Sequence, residues 1–136
     1  MTKQFESVTP ATGWNSKLTF SAATRVGDLV FISGMTAGDE QDRIVGEGDI
    51  VRQTEYIYEK MARILKVVGC TLADVVETTE YYLTLENYEK TAAVRRKVFG
   101  GPPYPAATGV QCAGLIRPGA LIEIKAIAVV PKTKVA

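Results

Sequence analysis

Leu121-Ile122-Glu123-Ile124-Lys125-Ala126-Ile127-Ala128-Val129-Val130 is the stretch whose reading decides the fold. A run this rich in β-branched residues predicts a strand, over residues 120–130, and successive side chains of a strand point to opposite faces of its sheet. Ile122, Ile124, Ala126, Ala128 and Val130 then make one wholly apolar face. Leu121, Glu123, Lys125, Ile127 and Val129 make the other. The first face belongs under helices. Burying an unpaired charge costs several kcal/mol, so Glu123 and Lys125 must meet water, ionic partners, another subunit or a ligand.

Working outward, Gly114-Leu115-Ile116-Arg117-Pro118-Gly119 is a turn set by proline and glycine, and it joins this strand to an earlier one over residues 106–113. Before that, residues 86–99 read as a helix, with Tyr88, Ala92, Val98 and Phe99 near one face and Gly100-Gly101-Pro102-Pro103 as its stop. Thr71-Leu72-Ala73-Asp74 has the pattern of a capping box for one short turn, and residues 75–84 then have strong β preference. Asp49 is the expected N-cap of another helix, in which Ile50, Ile57, Met61, Ile64, Leu65 and Val68 recur at helical spacing up to Gly69.

Residues 34–48, with Gly34, Gly38, Gly46 and Gly48, read as a loop. Residues 19–24 and 29–33 read as strands of a hairpin turned by Arg25-Val26-Gly27-Asp28. Residues 1–18 read as an irregular arm that packs Trp14. The expected architecture is therefore α+β, a single β-β-α-β-α-β-β sheet in one domain spanning residues 1–136, with two helices on one face. The other face is too apolar to be left bare, which marks an interface.

The chain has 136 residues and 46% apolar content, enough for a core without disulfide or metal. Cys70 and Cys112, with no export signal read at the N-terminus, point to a reducing, cytoplasmic setting, and as small buried hydrophobes they need no other role. No apolar run approaches the roughly 20 residues that span a bilayer, so no membrane partner is expected. Sixteen basic against fifteen acidic residues leave a net charge of +1, too little to gather a polyanion, and nucleic acid is not expected as a partner. The basic run Arg95-Arg96-Lys97 fans over different faces of its helix and reads as solvated surface. Histidine is absent, which removes the commonest general base and metal ligand; no metal and no cofactor are expected.

Four stretches, in this order and spacing, resemble the Rid (YjgF-like) family from about residue 18 onward: Gly27-Asp28-Leu29-Val30-Phe31-Ile32-Ser33-Gly34, Gly69-Cys70-Thr71-Leu72-Ala73-Asp74-Val75-Val76, Pro102-Pro103-Tyr104-Pro105-Ala106 and Leu121 to Val129. The resemblance implies a chorismate-mutase-like fold and a homotrimer in which the sheets face a central barrel, with small-molecule clefts between subunits. It also implies hydrolysis of reactive enamine or imine acids, releasing ammonia and a 2-keto acid without a cofactor. By the same resemblance Ser33 and Gly34 match the family's substrate-binding backbone, and Glu123 matches its acidic residue. The family's first-strand tyrosine falls at or near Phe20, and the arginine that clamps the substrate carboxylate falls at Ala107. Alanine supplies neither the charge nor the two parallel hydrogen bonds of that clamp.

Imine hydrolysis needs a positioned water and a group that takes and returns its proton. Glu123 is the carboxylate that periodicity puts on the non-helical face, where burial would raise its pKa toward working pH. The other reading of Glu123 is structural, as a partner of Lys125 or of a neighbouring chain's arginine. Thr108 and the backbone of Gly109 are candidates for holding a polar substrate or water, and Tyr104 for lining the mouth. Cys112 could face the same cleft, although no histidine is present to draw off its proton. Arg117 could replace the missing cation, against a reading as an exposed turn residue. Two functions follow: a cofactor-free hydrolase of the deaminase type acting on an enamine, imine or related amino-substituted metabolite, or a non-catalytic trimer that binds a metabolite or partner in the same clefts.

Overall fold

A computed structural model describes residues 2–132. Its strands are β1 (Glu6–Val8), β2 (Ala23–Val26), β3 (Leu29–Met35), β4 (Val75–Tyr82), β5 (Ala106–Gln111) and β6 (Ile122–Val129), with helices α1 (Ile50–Val67) and α2 (Thr91–Phe99). They form one mixed α+β sheet in the order β1-β2-β3-β6-β4-β5. The strand read first from the sequence is thus a central one. β6 lies antiparallel to both β3 and β4, and only β4 and β5 run parallel, linked by the crossover through α2.

The expected faces of β6 hold. Ile122, Ile124, Ala126 and Ala128 are each at most 2% exposed, while Lys125 and Val129 are open and Glu123 and Ile127 are half-buried. Onto the closed face pack Ile57, Met61 and Leu65 of α1, all fully buried. At roughly 1.5–3 kcal/mol for each large aliphatic side chain, this layer is the main driving force for the fold. The expected start of α1 also holds, because the Asp49 carboxylate accepts from the amides of Val51 and Arg52. At its end Gly69 takes φ 75°, a left-handed conformation that lets the chain leave the helix. The capping box at Thr71 is formed in both directions, from Ala73 N to Thr71 Oγ1 and from Thr71 N to the Asp74 carboxylate.

Several expected boundaries do not hold. The arm at 1–18 contains β1, which pairs Glu6 with Arg25 and Val8 with Ala23; three residues are too few for a periodic pattern. The first hairpin strand begins at Ala23 rather than Thr19, and Val26 pairs with Leu29, so the turn is the two residues Gly27-Asp28. Residues 19–22, despite β-favouring Thr19 and Phe20, lie outside the strands because Phe20 packs its ring edge-on against Trp14, centroids 5.6 Å apart. β3 extends two residues past Ser33. The second helix starts at Thr91, after a short 3-10 turn over Tyr88–Lys90, and β4 and β5 each end two residues early.

The face away from the helices carries Val26, Leu29 and Phe31 together with Ile127, Val129 and Val110, a band of apolar side chains around Lys125. No helix among the described residues is long and apolar enough to cross a membrane.

Candidate functional site

A bulge starts the site. Between Ile32 and Met35 the register of β3 against β6 slips, three steps on β3 matching two on β6, which takes Ser33 and Gly34 out of the ladder. Ser33 is held from the other side: its amide donates to Ala22 O at 3.0 Å and its hydroxyl to Ser21 O at 2.6 Å. Gly34 has a different reason to be there. A Cβ on it would stand 2.6 Å from Glu123 Oε2, so the carboxylate of Glu123 lies directly against the Gly34 backbone. Only glycine admits that approach.

Glu123 and this bulge open into a cavity of about 610 Å³ whose walls include Phe20, Trp14, Lys60 and Arg117. Among the described residues Glu123 makes no ion pair, with Lys125 or with any other cation. Arg117 is committed: its Nη1 lies 3.1 Å from Asp42 Oδ1, and its stem covers the Cα of Gly38. The turn that carries it is fastened by buried Gln53 of α1, which donates to the carbonyls of Gly46 and Gly119 and accepts from Leu121 N.

Lys60 is the cavity residue that the sequence did not offer. Its ammonium donates to the carbonyls of Thr36 and Gly38, and burial, reinforced by the nearby charges of Arg117 and Arg63, lowers its pKa to about 8. Nothing in the spacing of α1 separates this lysine from a solvated one, because its acceptors come from a loop 22 and 24 residues away.

The remaining candidates lie elsewhere. Tyr104 and Ala107 line a separate pocket of about 240 Å³ between α2 and β5. Gly109 lies beneath Tyr82 and Tyr88, and Thr108 is exposed. Cys112 does not turn to the cavity of Glu123; its thiol points back to Tyr82 O at 3.7 Å. Register explains the separation. Glu123 pairs with Tyr81 and Tyr81 with Val110, so Glu123 shares a face with Val110 and Thr108, whereas Ala107 and Gly109 lie on the helix face with Thr78 and Glu80. In one chain Glu123 and Ala107 are two strands apart and on opposite sides of the sheet. Among the described residues no group of three or more Cys, Asp or Glu side chains is placed to hold a metal.

A mixed sheet backed by two helices, with a bulge facing a carboxylate at a cavity, defines a small α+β domain. The chain belongs to the family described as endoribonuclease L-PSP, which matches residues 13–130 and includes the YjgF-like proteins resembled above. It is 34% identical over 114 residues, 83% of this chain and 84% of the relative, to the RutC family protein YjgH of Escherichia coli strain K12. A RutC family protein of Pyrococcus abyssi is 34% identical over 109 residues, 80% of this chain and 84% of that one. Among solved structures, a member of the YjgF/YER057c/UK114 family from Mycobacterium tuberculosis superposes with a TM-score of 0.77 at 32% identity, over 93% of this chain and 99% of that one.

Proposed function

We propose that this chain is a cofactor-free hydrolase of the deaminase type, acting on an enamine, imine or related amino-substituted small metabolite in clefts between the subunits of a cytoplasmic homotrimer. The observation that carries the reading is the Glu123 carboxylate, set against Gly34 in a 610 Å³ cavity and in no ion pair among the described residues. A carboxylate so placed takes a proton from water as the water oxygen bonds to the C=N carbon. It hands that proton to the nitrogen, where the C=N π pair has moved, which gives a neutral carbinolamine; it then carries the carbinolamine hydroxyl proton to nitrogen as C=O forms and the C–N bond breaks, releasing ammonia and a carbonyl compound. Gly34 and the Ser33 carbonyl, out of the β6 ladder at the bulge, offer backbone groups to orient the substrate.

Two features support assembly. The apolar band opposite the helices needs cover. The opposite-face placement of Glu123 and Ala107, two strands apart, means that a cleft using both must draw on two copies. The free thiols Cys70 and Cys112 suit a reducing compartment. The nuclease activity in the family's description finds little support here, since the net charge is +1 and Arg95-Arg96-Lys97 is the only basic run.

The test is Glu123→Gln. It should lower ammonia release by roughly 100-fold or more while the protein still sediments as a trimer and melts as before. Wild-type turnover in the variant would return Glu123 to a structural role. The second reading, a non-catalytic metabolite binder, draws on the alanine at 107 and the phenylalanine at 20. It would prevail if a metabolite panel raised the melting temperature with no product formed.

A further inference from the structure

Lys60 has no part in the chemistry proposed for Glu123, yet it is placed as few helix lysines are. It lines the 610 Å³ cavity and also a smaller one of about 120 Å³, whose walls include Pro10, Trp14, Tyr56 and Arg63. Burial does most to disfavour its charged form, and the charges of Arg117 and Arg63 add to that. Asp39 opposes them, but its carboxylate is itself paired with Arg43 at 3.4 Å. The Tyr56 ring, 5.5 Å from Nζ, also favours the cation, and it is shared with Arg52 and Arg63. The hydrogen bonds suit a neutral amine. An ammonium has three N–H donors and an amine two, and Nζ has two acceptors among the described residues, Thr36 O and Gly38 O. With both N–H groups used, the lone pair of the amine takes the remaining tetrahedral position.

From this arrangement we infer that Lys60 is a covalent docking site for small aldehydes or ketones, which it holds in the cavity as a reversible imine. The lone pair of Nζ bonds to the carbonyl carbon as the C=O π pair moves to oxygen, and one amine proton passes to that oxygen to give a carbinolamine. The hydroxyl then takes a proton from solvent and leaves as water, and the nitrogen pair closes a protonated imine with one N–H. Trp14, Phe20 and Met35 give the cavity the apolar wall that takes the body of the ligand. The protonated imine keeps a positive charge beside the two carbonyl oxygens, where a carbamate from carbon dioxide would put a negative one. One of those oxygens loses its donor in the adduct, and that loss keeps the imine reversible. The bond forms at Nζ, so the site is independent of the reading of Glu123.

Reductive trapping tests the assignment. The whole protein is treated briefly near neutral to mildly basic pH with butanal and cyanoborohydride, which reduces an imine to a stable secondary amine, and peptide mass spectrometry locates the label. Lys66, exposed on the same helix, is the internal standard. With a pKa of about 8 against 10.5 for an ordinary lysine, Lys60 offers far more free amine and should take up label at least about 10-fold faster than Lys66. Its rate should saturate as butanal is raised, the sign of a seat, while the Lys66 rate climbs in proportion. Lys60→Arg keeps a cation and donors for both carbonyls but forms no such adduct, and it should lose the fast label. The wild-type mapping decides the matter by itself if that variant melts early. Label at Lys60 no faster than at Lys66, a Lys60 rate that never saturates, or a fast phase that survives Lys60→Arg would overturn the assignment. Every readout is mass on a lysine, so none depends on ammonia release.

Discussion

Two regions of the sheet place charge in opposite ways. At the central β3–β6 pair an acidic group, Glu123, stands against bare backbone with no ionic partner among the described residues. At the α2–β5 end the acidic group, Glu80, is buried and locked to Arg95 and Tyr88, while positive charge faces the pocket. An unpartnered carboxylate beside a cavity is available for proton transfer; a carboxylate sealed beneath an arginine serves as its anchor. The same residue type therefore has two jobs, decided by what covers it.

The contrast can be broken first at the sealed end. Arg95→Met leaves Glu80 as an unpaired buried charge and should cost about 3 kcal/mol of stability, read by urea denaturation, the low end of the range for breaking a buried pair because Arg95 is partly open. An unchanged midpoint would mean that Glu80 never depended on its cation. At the β3–β6 pair Gly34→Ala forces Glu123 Oε2 away from its seat, since 2.6 Å admits no methyl group. Turnover should fall roughly 10- to 100-fold with little change in melting temperature, because a small misplacement of a reacting group is costly. Full activity in that variant would separate the carboxylate's position from catalysis.

A smaller effect concerns the missing clamp. Wild-type protein should release little ammonia or keto acid from enzymatically generated 2-aminoacrylate. Ala107→Arg should raise that activity by about 10-fold at most, the worth of one charged hydrogen-bonded contact. Robust wild-type activity would show that another cation holds the carboxylate, and Arg117 would be examined first.

The smallest effect is a pH dependence. Lys60 has a folded-state pKa of about 8 against an ordinary lysine value of 10.5, so between those limits the unfolded chain binds the extra proton. Stability from this group therefore rises as pH climbs from about 8 toward 10.5 and is absent below that window. Lys60→Met should flatten the rise in melting temperature over the same range. A rise identical in both proteins would assign it to other groups.

Local signals were legible from the residues alone. The two faces of β6, the Asp49 cap and the box at Thr71 each depend on neighbours within a few positions, and each is present as read. What depended on distant partners was not legible. β1 exists because Val8 pairs with Ala23, and β2 starts late because Trp14 draws Phe20 aside. Lys60 gained its part from carbonyls across a loop. Of the candidate site, Phe20, Ser33, Gly34, Arg117 and Glu123 gather at one cavity, whereas Tyr104, Ala107, Thr108, Gly109 and Cys112 do not. The resemblance put both groups in clefts between subunits, and within one chain they stay apart because β5 and β6 are separated by β4, an order of strands that the sequence does not record.

β5 closes one end of the sheet, and every one of its residues, Ala106 to Gln111, is exposed. None is charged and none is proline, so the strand lacks the usual guards that keep an open edge from recruiting foreign strands. A newly made chain is consequently at its most vulnerable between folding and finding cover. In the homotrimer proposed above that interval would shorten with the abundance of the chain's own copies, which would make the rate of synthesis itself a determinant of how much of this protein escapes misassembly.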